Sequence, residues 1–425
     1  MQVYKFGGAS IATPARMRAL LPIIEKAERP LTVIVSALGK TTNALEAIVN
    51  AAIAQNRPLA ESLLHELEQQ HQDYIRELFG MERSEQVTEK LHPYFTEISW
   101  ALDDAGVQAD DYLYDQIVCV GELLSTHIFS QWLEEKAVAN TWIDARDIVR
   151  TNEYYRNAIV DLESTQNHVK SQILPVMQQG GLCVTQGFIG SSPDNNSTTL
   201  GREGSDYTAA LIASMLPSEK VIIWKDVPGF LNADPRKFPD AVRLSEISYY
   251  EVIELAYYGA QVIHPKTIKP IQNKGIPLYV KCFLDDSLEG TVIKKKVGES
   301  VFYPPLIVHK GDQLLMKVTT KDFSFITEEN LSNLYNIYAK HRVKINMIQN
   351  AAISFVACID ARHFAKDDLI ADLCREYDVK INEECTLLTV RHYEDEATVE
   401  KLVQYKKVLL RQRSRRVYQV LYKDY

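Results

Sequence analysis

Through its first two thirds the chain alternates short β-branched runs with longer stretches of helical periodicity, and few folds accommodate that alternation. Parallel strands cannot be joined by tight turns; they need crossovers of a dozen residues or more, usually helical. Strand candidates are Thr32 to Val35, Ile117 to Val120, Leu182 to Gln186, Val221 to Lys225 and Leu278 to Cys282. Between Leu59 and Leu102 the sequence turns polar and helix-forming, with Leu63, Leu67, Tyr74 and Leu78 at helical spacing. It reads as a helical insertion, covering about 55–115. The class expected for this region is α/β with a mainly parallel sheet.

A second change of character comes after the Lys294 to Lys296 run and before Pro304 and Pro305, which sets a boundary between 1–298 and 299–425. Beyond it, the pattern predicts strand Leu314 to Thr320, helix Glu328 to His341, strands Lys344 to Asn350 and Ile353 to Asp360, helix Lys366 to Tyr377 and strand Val379 to Glu384. That βαββαβ order is ferredoxin-like. A shorter set follows, with strand Leu387 to His392, helix Ala397 to Lys406 and a strand or hairpin from Val408 to Tyr422. Two related α+β modules are expected, the second short or atypical.

With 425 residues and 46% hydrophobic content the chain exceeds the size at which one core stops growing, so more than one domain is expected. A formal charge of -9 gives no overall attraction to nucleic acid or an anionic membrane. Small-molecule chemistry is the better expectation. Six cysteines stand far apart without a CxxC pair and read as buried or free thiols. No leader pattern or membrane-length apolar run is found, so a cytoplasmic location is expected. His65, Glu66 and His71 do not make an HExxH helix, and no metal site is assigned.

The chemistry-bearing segments are dispersed. KFGGAS, from Lys5, follows the opening strand: Gly7 and Gly8 let backbone amides approach phosphate oxygens, and Lys5 adds a point charge. In VSALGKTTN, Gly39-Lys40-Thr41 resembles the tail of a P-loop, but Ile34 stands where its first glycine must be. Ser36, Thr41 and Thr42 remain as hydroxyl donors to a carboxylate, or as helix caps. TQGFIG and TTLGREGSDYTAALIA flank the polar loop SSPDNNS, whose composition suits a lid. Arg202, between glycines, can clamp a carboxylate with two parallel hydrogen bonds, while Ser205 and Asp206 stand at a helix start. WKDVPGFLNADPR presents Arg236 on a double turn beyond a strand, where ligand crevices form. LAYYGAQVIHPKTI brings His264 and Lys266 to a turn, and a lone histidine there is more often structural.

Together, KFGGAS, VSALGKTTN, VGELLST (Val120 to Thr126), TQGFIG, TLGREGSD, WKDVPG with ADPR, and GAQVIHP resemble the aspartokinase branch of the amino-acid kinase family, in order and spacing. The resemblance implies an αβα sandwich with paired C-terminal ACT-type modules. It implies ATP-dependent phosphorylation of the L-aspartate side chain, the first step toward lysine, threonine and methionine, with ATP and Mg²⁺. Residue by residue, it implies that Lys5 sits at the transferring phosphoryl group and that Asp206 organises Lys5. It places Glu122 on the substrate ammonium and Arg202 on a carboxylate, with Ser36, Thr42, Phe188 and Ser205 nearby. Gly7, Gly8, Lys225, Asp226, Arg236 and Gln261 fall on the nucleotide side.

This chain departs from the family pattern at several positions. Gln261 stands where the family has a phosphate-binding lysine, and Lys225 is expected to supply that charge. Glu203 replaces a glycine, and Leu231 a tyrosine. Gln349-Asn350 occupies the place of a Thr-Ser pair associated with lysine response. Alternatives are a related amino-acid kinase with another substrate, or a catalytically silent ligand-sensing homologue. An amino-acid effector at the ACT-type modules and a homodimer or higher homo-oligomer are also expected, with no nucleic-acid or membrane partner.

Overall fold

In the computed structural model of the chain, all residues are described except Gln261, 299–301, 363–364 and Tyr425. The chain divides into two compact units, one of residues 1–230, 243–253 and 262–299, the other of 231–242, 254–261 and 300–425.

The first unit is built on β1 (Gln2–Phe6), β2 (Leu31–Val35), β3 (Thr141–Ile143), β4 (Leu182–Gln186), a hairpin of β5 (Ile189–Ser191) and β6 (Ser197–Thr199), then β7 (Lys220–Lys225), β8 (Glu246–Ser248), β9 (Leu278–Cys282) and β10 (Thr291–Lys294). Eight of these form one sheet in the order β3-β4-β2-β1-β7-β9-β10-β8. Pairing is parallel throughout except between β9 and β10. Every residue of β1, β2 and β4 is buried, as strands covered on both faces must be. The helix Gly204–Met215 packs over β1, β2 and β7, and the helix Val120–Glu135 packs against β2, β3 and β4. This is the layered, mainly parallel α/β architecture expected. The order reverses at β1, whose neighbours are β2 on one side and β7 on the other. Such a switch point leaves a crevice at the carboxyl ends of the strands.

The insertion is an antiparallel pair of long helices, Arg57–Phe79 and Met81–Asp103, followed by Asp110–Val118. The strand expected at Ile117 to Val120 is absent: these residues end one helix and begin the next. The Val120–Glu135 helix is buried around nearly its whole circumference, and a β-branched run buried on every side carries no period to distinguish helix from strand. The SSPDNNS segment is a tight turn between β5 and β6. Arg150 pins it, donating to Ser191 Oγ at 2.7 Å, Asn195 Oδ1 at 3.0 Å and the Ser192 carbonyl at 2.8 Å.

The second unit carries an antiparallel sheet of β11 (Leu306–Thr320), β12 (Ile345–Asn350), β13 (Ser354–Asp360), β14 (Tyr377–Arg391), β15 (Lys407–Arg413) and β16 (Val417–Lys423), in the order β12-β13-β11-β14-β16-β15. Strands expected separately at 379–384 and 387–392 are one, because β14 runs 15 residues. Its partner β11 is equally long, and the pair joins two modules. In one, Leu314, Met316 and Val318 pack against Leu334 and Tyr338 of the helix Glu328–Lys340 and Leu369 and Leu373 of the helix Lys366–Glu376. In the other, Leu388, Val390 and Val420 pack against Val399 of the helix Glu396–Leu402. The register of β11 slips between Lys310 and Gln313, where the modules meet.

Candidate active site

Lys5 sits near the end of β1, in register with Ile34 of β2 and Ile223 of β7, so it stands at the switch point. Its Nζ lies 2.7 Å from Asp206 Oδ1. Lys225, the last residue of β7, brings Nζ to 3.7 Å from Asp206 Oδ2 and also donates to the Val262 carbonyl. Asp206 is 3% exposed. Burial alone would raise its carboxyl, but the Lys5 ammonium, then Lys225, outweighs that and holds it below the usual carboxylate range. One carboxylate therefore fixes two ammonium groups at a strand end.

Asp206 belongs to the first turn of the Gly204–Met215 helix, where the helix dipole also favours a negative charge. It is not a cap: the N-cap is Glu203, without a side-chain capping bond. Nor is Thr42 a cap, because the Thr41–Ile53 helix has Lys40 at its N-cap and no side-chain capping bond. Ser205 and Thr42 are thus left available to the cavity described next.

A cavity of about 520 Å³ opens here, lined by Lys5, Ser36, Thr42, Glu122, Phe188, Arg202, Ser205, Asp206 and Lys225. Six further residues line it: Glu46, Tyr114, Arg156, Gly201, Glu203 and Gly204. Two glycines explain why the motifs converge. A Cβ on Gly8 would meet the Ala37 carbonyl at 2.6 Å, so the first two motifs interlock there. On Gly187 it would lie 2.5 Å from Ser205 Cα, so the TQGFIG strand end presses against the helix that carries Asp206.

Glu122 lies in the first turn of the buried Val120–Glu135 helix. Its Oε1 accepts from the Ala37 N–H at 3.3 Å, while buried Oε2 has no hydrogen-bond partner among the described residues. Burial pushes the carboxyl up to about 8, against the pull of the Ala37 N–H and Lys5. A buried carboxylate lacking a partner on one oxygen is a receptor for a cationic group. Opposite in character, the Arg202 side chain is exposed and has neither ion-pair nor hydrogen-bond partner among the described residues.

Backbone strain gathers at this cavity. Phe188, Arg156 and Glu203 all line it in the left-handed region, at φ 70, 64 and 54, which is uncommon for residues with a side chain. Phe188 is held by its N–H donating to Thr208 Oγ1 at 3.1 Å, and Glu203 by its Oε2 accepting from the His264 N–H at 2.7 Å. His264 itself caps the Pro265–Lys274 helix, accepting from the Lys266 N–H at 3.1 Å, which is the structural role.

Of the remaining sequence-predicted residues, Gly7 is adjacent to the site, since a Cβ there would stand 3.5 Å from Lys5 Nζ. Gly8 and Asp226 are not among the lining residues. Arg236 lies in the second unit on an exposed turn, its guanidinium 2.9 Å from Asp234 Oδ2. Gln261 falls outside the described residues. Sequence reasoning missed Glu46, Tyr114 and Arg156, which lie in the helix Thr41–Ile53 that follows β2, at the end of the insertion and in the loop before the helix Leu162–Gln178.

The profile of the amino acid kinase family matches residues 1–282. The chain is 32% identical over 364 residues to lysine-sensitive aspartokinase 3 of Escherichia coli (strain K12), covering 84% of this chain and 78% of that protein. It also matches bifunctional aspartokinase/homoserine dehydrogenase 1 of Zea mays at 32% identity, spanning 32% of that protein's length. The solved E. coli aspartokinase III in complex with aspartate and ADP (R-state) superimposes with a TM-score of 0.82 at 27% identity, covering 100% of this chain and 96% of that one. Its T-state, in complex with lysine and aspartate, gives 0.82 at 26%, covering 99% and 95%. With the crossed strands, the paired lysines and these likenesses in hand, the chain belongs to the amino acid kinase family, on its aspartokinase branch.

Proposed function

We propose that this chain transfers the γ-phosphoryl group of ATP to the side-chain carboxylate of L-aspartate. The observation that carries the reading is the set of Lys5, Lys225 and Asp206 in the same cavity as an under-partnered buried carboxylate, Glu122, and an unpaired guanidinium, Arg202. An amino acid with ammonium, α-carboxylate and side-chain carboxylate matches these charges in complement. The E. coli structure in complex with aspartate and ADP supports the same pair of substrates.

In this assignment Glu122 receives the substrate ammonium and Arg202 the α-carboxylate, with Ser36, Thr42, Phe188 and Ser205 shaping the pocket. The free carboxylate has an ordinary pKa of about 3.9 and is ionised at neutral pH, so no general base is needed. One of its oxygens bonds to the γ-phosphorus as the bond from that phosphorus to the β-phosphate oxygen breaks, and ADP leaves with the electron pair. The obstacle is repulsion between two anions. Lys5 and Lys225 offset it at fixed positions, because Asp206 holds both before substrate arrives. Gly7, Gly8 and Asp226 complete the proposed nucleotide side within the first unit. Lys225 supplies the charge that Gln261 does not. Mg²⁺ would accompany the nucleotide and add to the neutralising charge that Lys5 and Lys225 supply.

The test is ADP release with ATP, Mg²⁺ and either aspartate or glutamate. Turnover with aspartate and not with glutamate is expected; folded protein inactive on both would end the reading. Lys5→Ala is expected to lower kcat by about 10²- to 10³-fold, as loss of one preorganised charge at a transition state does. Lys225→Ala raises the KM for ATP; unchanged ATP kinetics would exclude its charge role.

We assign 1–298 to catalysis and 299–425 to regulation by an amino acid, in a homo-oligomer in the cytoplasm. The E. coli enzyme's complex with lysine and the two-module second unit support the regulatory part. Six free cysteines, five of them buried, suit a reducing compartment. Among the described residues, no helix is long and apolar enough to cross a membrane.

A further inference from the structure

Arg156 takes no part in the assignment above, yet the fold goes to some length to aim it at the cavity. Its backbone sits at φ 64, a conformation that glycine adopts freely and that any residue with a Cβ adopts at a cost. What imposes it is a fully buried carboxylate. The Arg156 N–H donates to both oxygens of Asp115, at 3.1 and 3.0 Å, and Asp115 also accepts from the Thr199 N–H at 2.8 Å and its hydroxyl at 2.6 Å. Two residues on, the Ala158 N–H donates to the Thr199 carbonyl at 2.9 Å. The loop is thereby fixed beside the segment that leads to Arg202.

The side chain is poised differently from the backbone. The guanidinium lies 4.1 Å over the Tyr114 ring, and the Tyr114 hydroxyl is itself anchored, donating to Glu46 at 2.7 Å. Stacking sets the plane of the fork without using its hydrogen-bond donors. Its one ion pair among the described residues, with Asp111 at 3.1 Å, is half exposed on both sides, and pairs of that kind contribute little and exchange easily. A glycine would satisfy the backbone and Asp115 equally well, so neither of these accounts for the arginine. Its reach into the cavity does.

We propose that Arg156 is a substrate-binding residue: with Arg202 it grips the α-carboxylate of aspartate, giving up Asp111 for it and leaving the side-chain carboxylate to the lysines. The proposal rests on the aspartate-kinase reading of this cavity. A second guanidinium on the non-reacting carboxylate selects for substrates that carry one, and it acts on binding rather than on transfer.

The test uses the full chain and ligands with and without that group. Aspartate affinity is measured by calorimetry and by KM. β-Alanine, which keeps the ammonium and the reacting carboxylate but lacks the α-carboxylate, is measured as a competitive inhibitor and by calorimetry. Arg156→Gly, which suits the left-handed backbone, and Arg156→Ala are expected to weaken aspartate about 10-fold, with kcat and the KM for ATP changed by less than about twofold. Binding of β-alanine is expected to stay as in the wild type. Arg156→Lys recovers part of the loss, because it restores charge without the fork. Unchanged aspartate binding in the glycine variant overturns the proposal, as does equal weakening of aspartate and β-alanine, which marks a loop that only shapes the cavity. Wild-type protein that binds aspartate without transferring phosphate sinks the kinase reading alone, and calorimetry still decides Arg156. Wild-type protein that does not bind aspartate sinks both.

Discussion

Glu122 shows how one residue couples binding to pH. In the folded chain its carboxyl titrates near 8, because burial outweighs the Ala37 N–H and Lys5. In the unfolded chain it returns to about 4.5. Between these values the folded state holds a proton that the unfolded state has released. The contribution of Glu122 to stability is therefore full below pH 4.5 and is lost as pH rises through 8. A bound ammonium reverses the preference by pairing with the carboxylate, so aspartate binding at pH 7 must expel a proton. Aspartate affinity is expected to rise from pH 6 to 8 and level off above, and Glu122→Gln to bind more weakly with a flat profile; calorimetry in two buffers of different ionisation enthalpy reads both. An aspartate affinity independent of pH in the wild type would remove Glu122 from the ammonium site. Lys5, Glu122, Arg202 and Asp206 were legible because each sits in a dense local motif. Arg156 was not, since no spacing marks a position where an arginine must take a glycine's backbone angle, and Asp115, which forces that angle, is 41 residues away.

At the scale of elements, sequence pattern succeeded where strands are bounded by turns and failed where burial is complete. β4 and β9 coincide with their expected ends, being short β-branched runs between glycine-rich or helical flanks. The helix Val120–Glu135 shows the opposite case, and its first turn is also where Glu122 had to be placed. The turn after β5 had the composition of a lid, but composition does not reveal Arg150, which arrives from outside the segment and bonds to three of its residues. Arg150→Ala is expected to raise amide exchange at Asn195, whose N–H bonds to the Ser192 carbonyl, by at least about 10-fold, in line with loss of one or more charged hydrogen bonds. Fast exchange there in the wild type would return the segment to a lid.

For the whole molecule, the second unit leaves β12 and β15 as edge strands of a six-stranded sheet. Edges of that length invite pairing with another copy. Light scattering at micromolar concentration is expected to give a dimer or larger species, and lysine or threonine to alter either its mass or its aspartate turnover. A monomer indifferent to both amino acids would count against regulation by the second unit. Gln349 and Asn350 lie exposed at the end of β12, so a response to lysine there would depend on amide side chains.

β11 and β14 pass without a break from one small module into the other, so one module is nested inside its neighbour. At the crossing, Lys310 reaches Asp360 at 2.7 Å, Gln313 donates to Asp360 at 2.9 Å and Asn346 donates to Gln313 at 2.8 Å, knotting three strands together. Two modules threaded on common beams have no slack linker in which to lose a signal. A ligand that retwists the inner one must bend the outer one too, by the stiffness of the hydrogen-bonded ribbon they share.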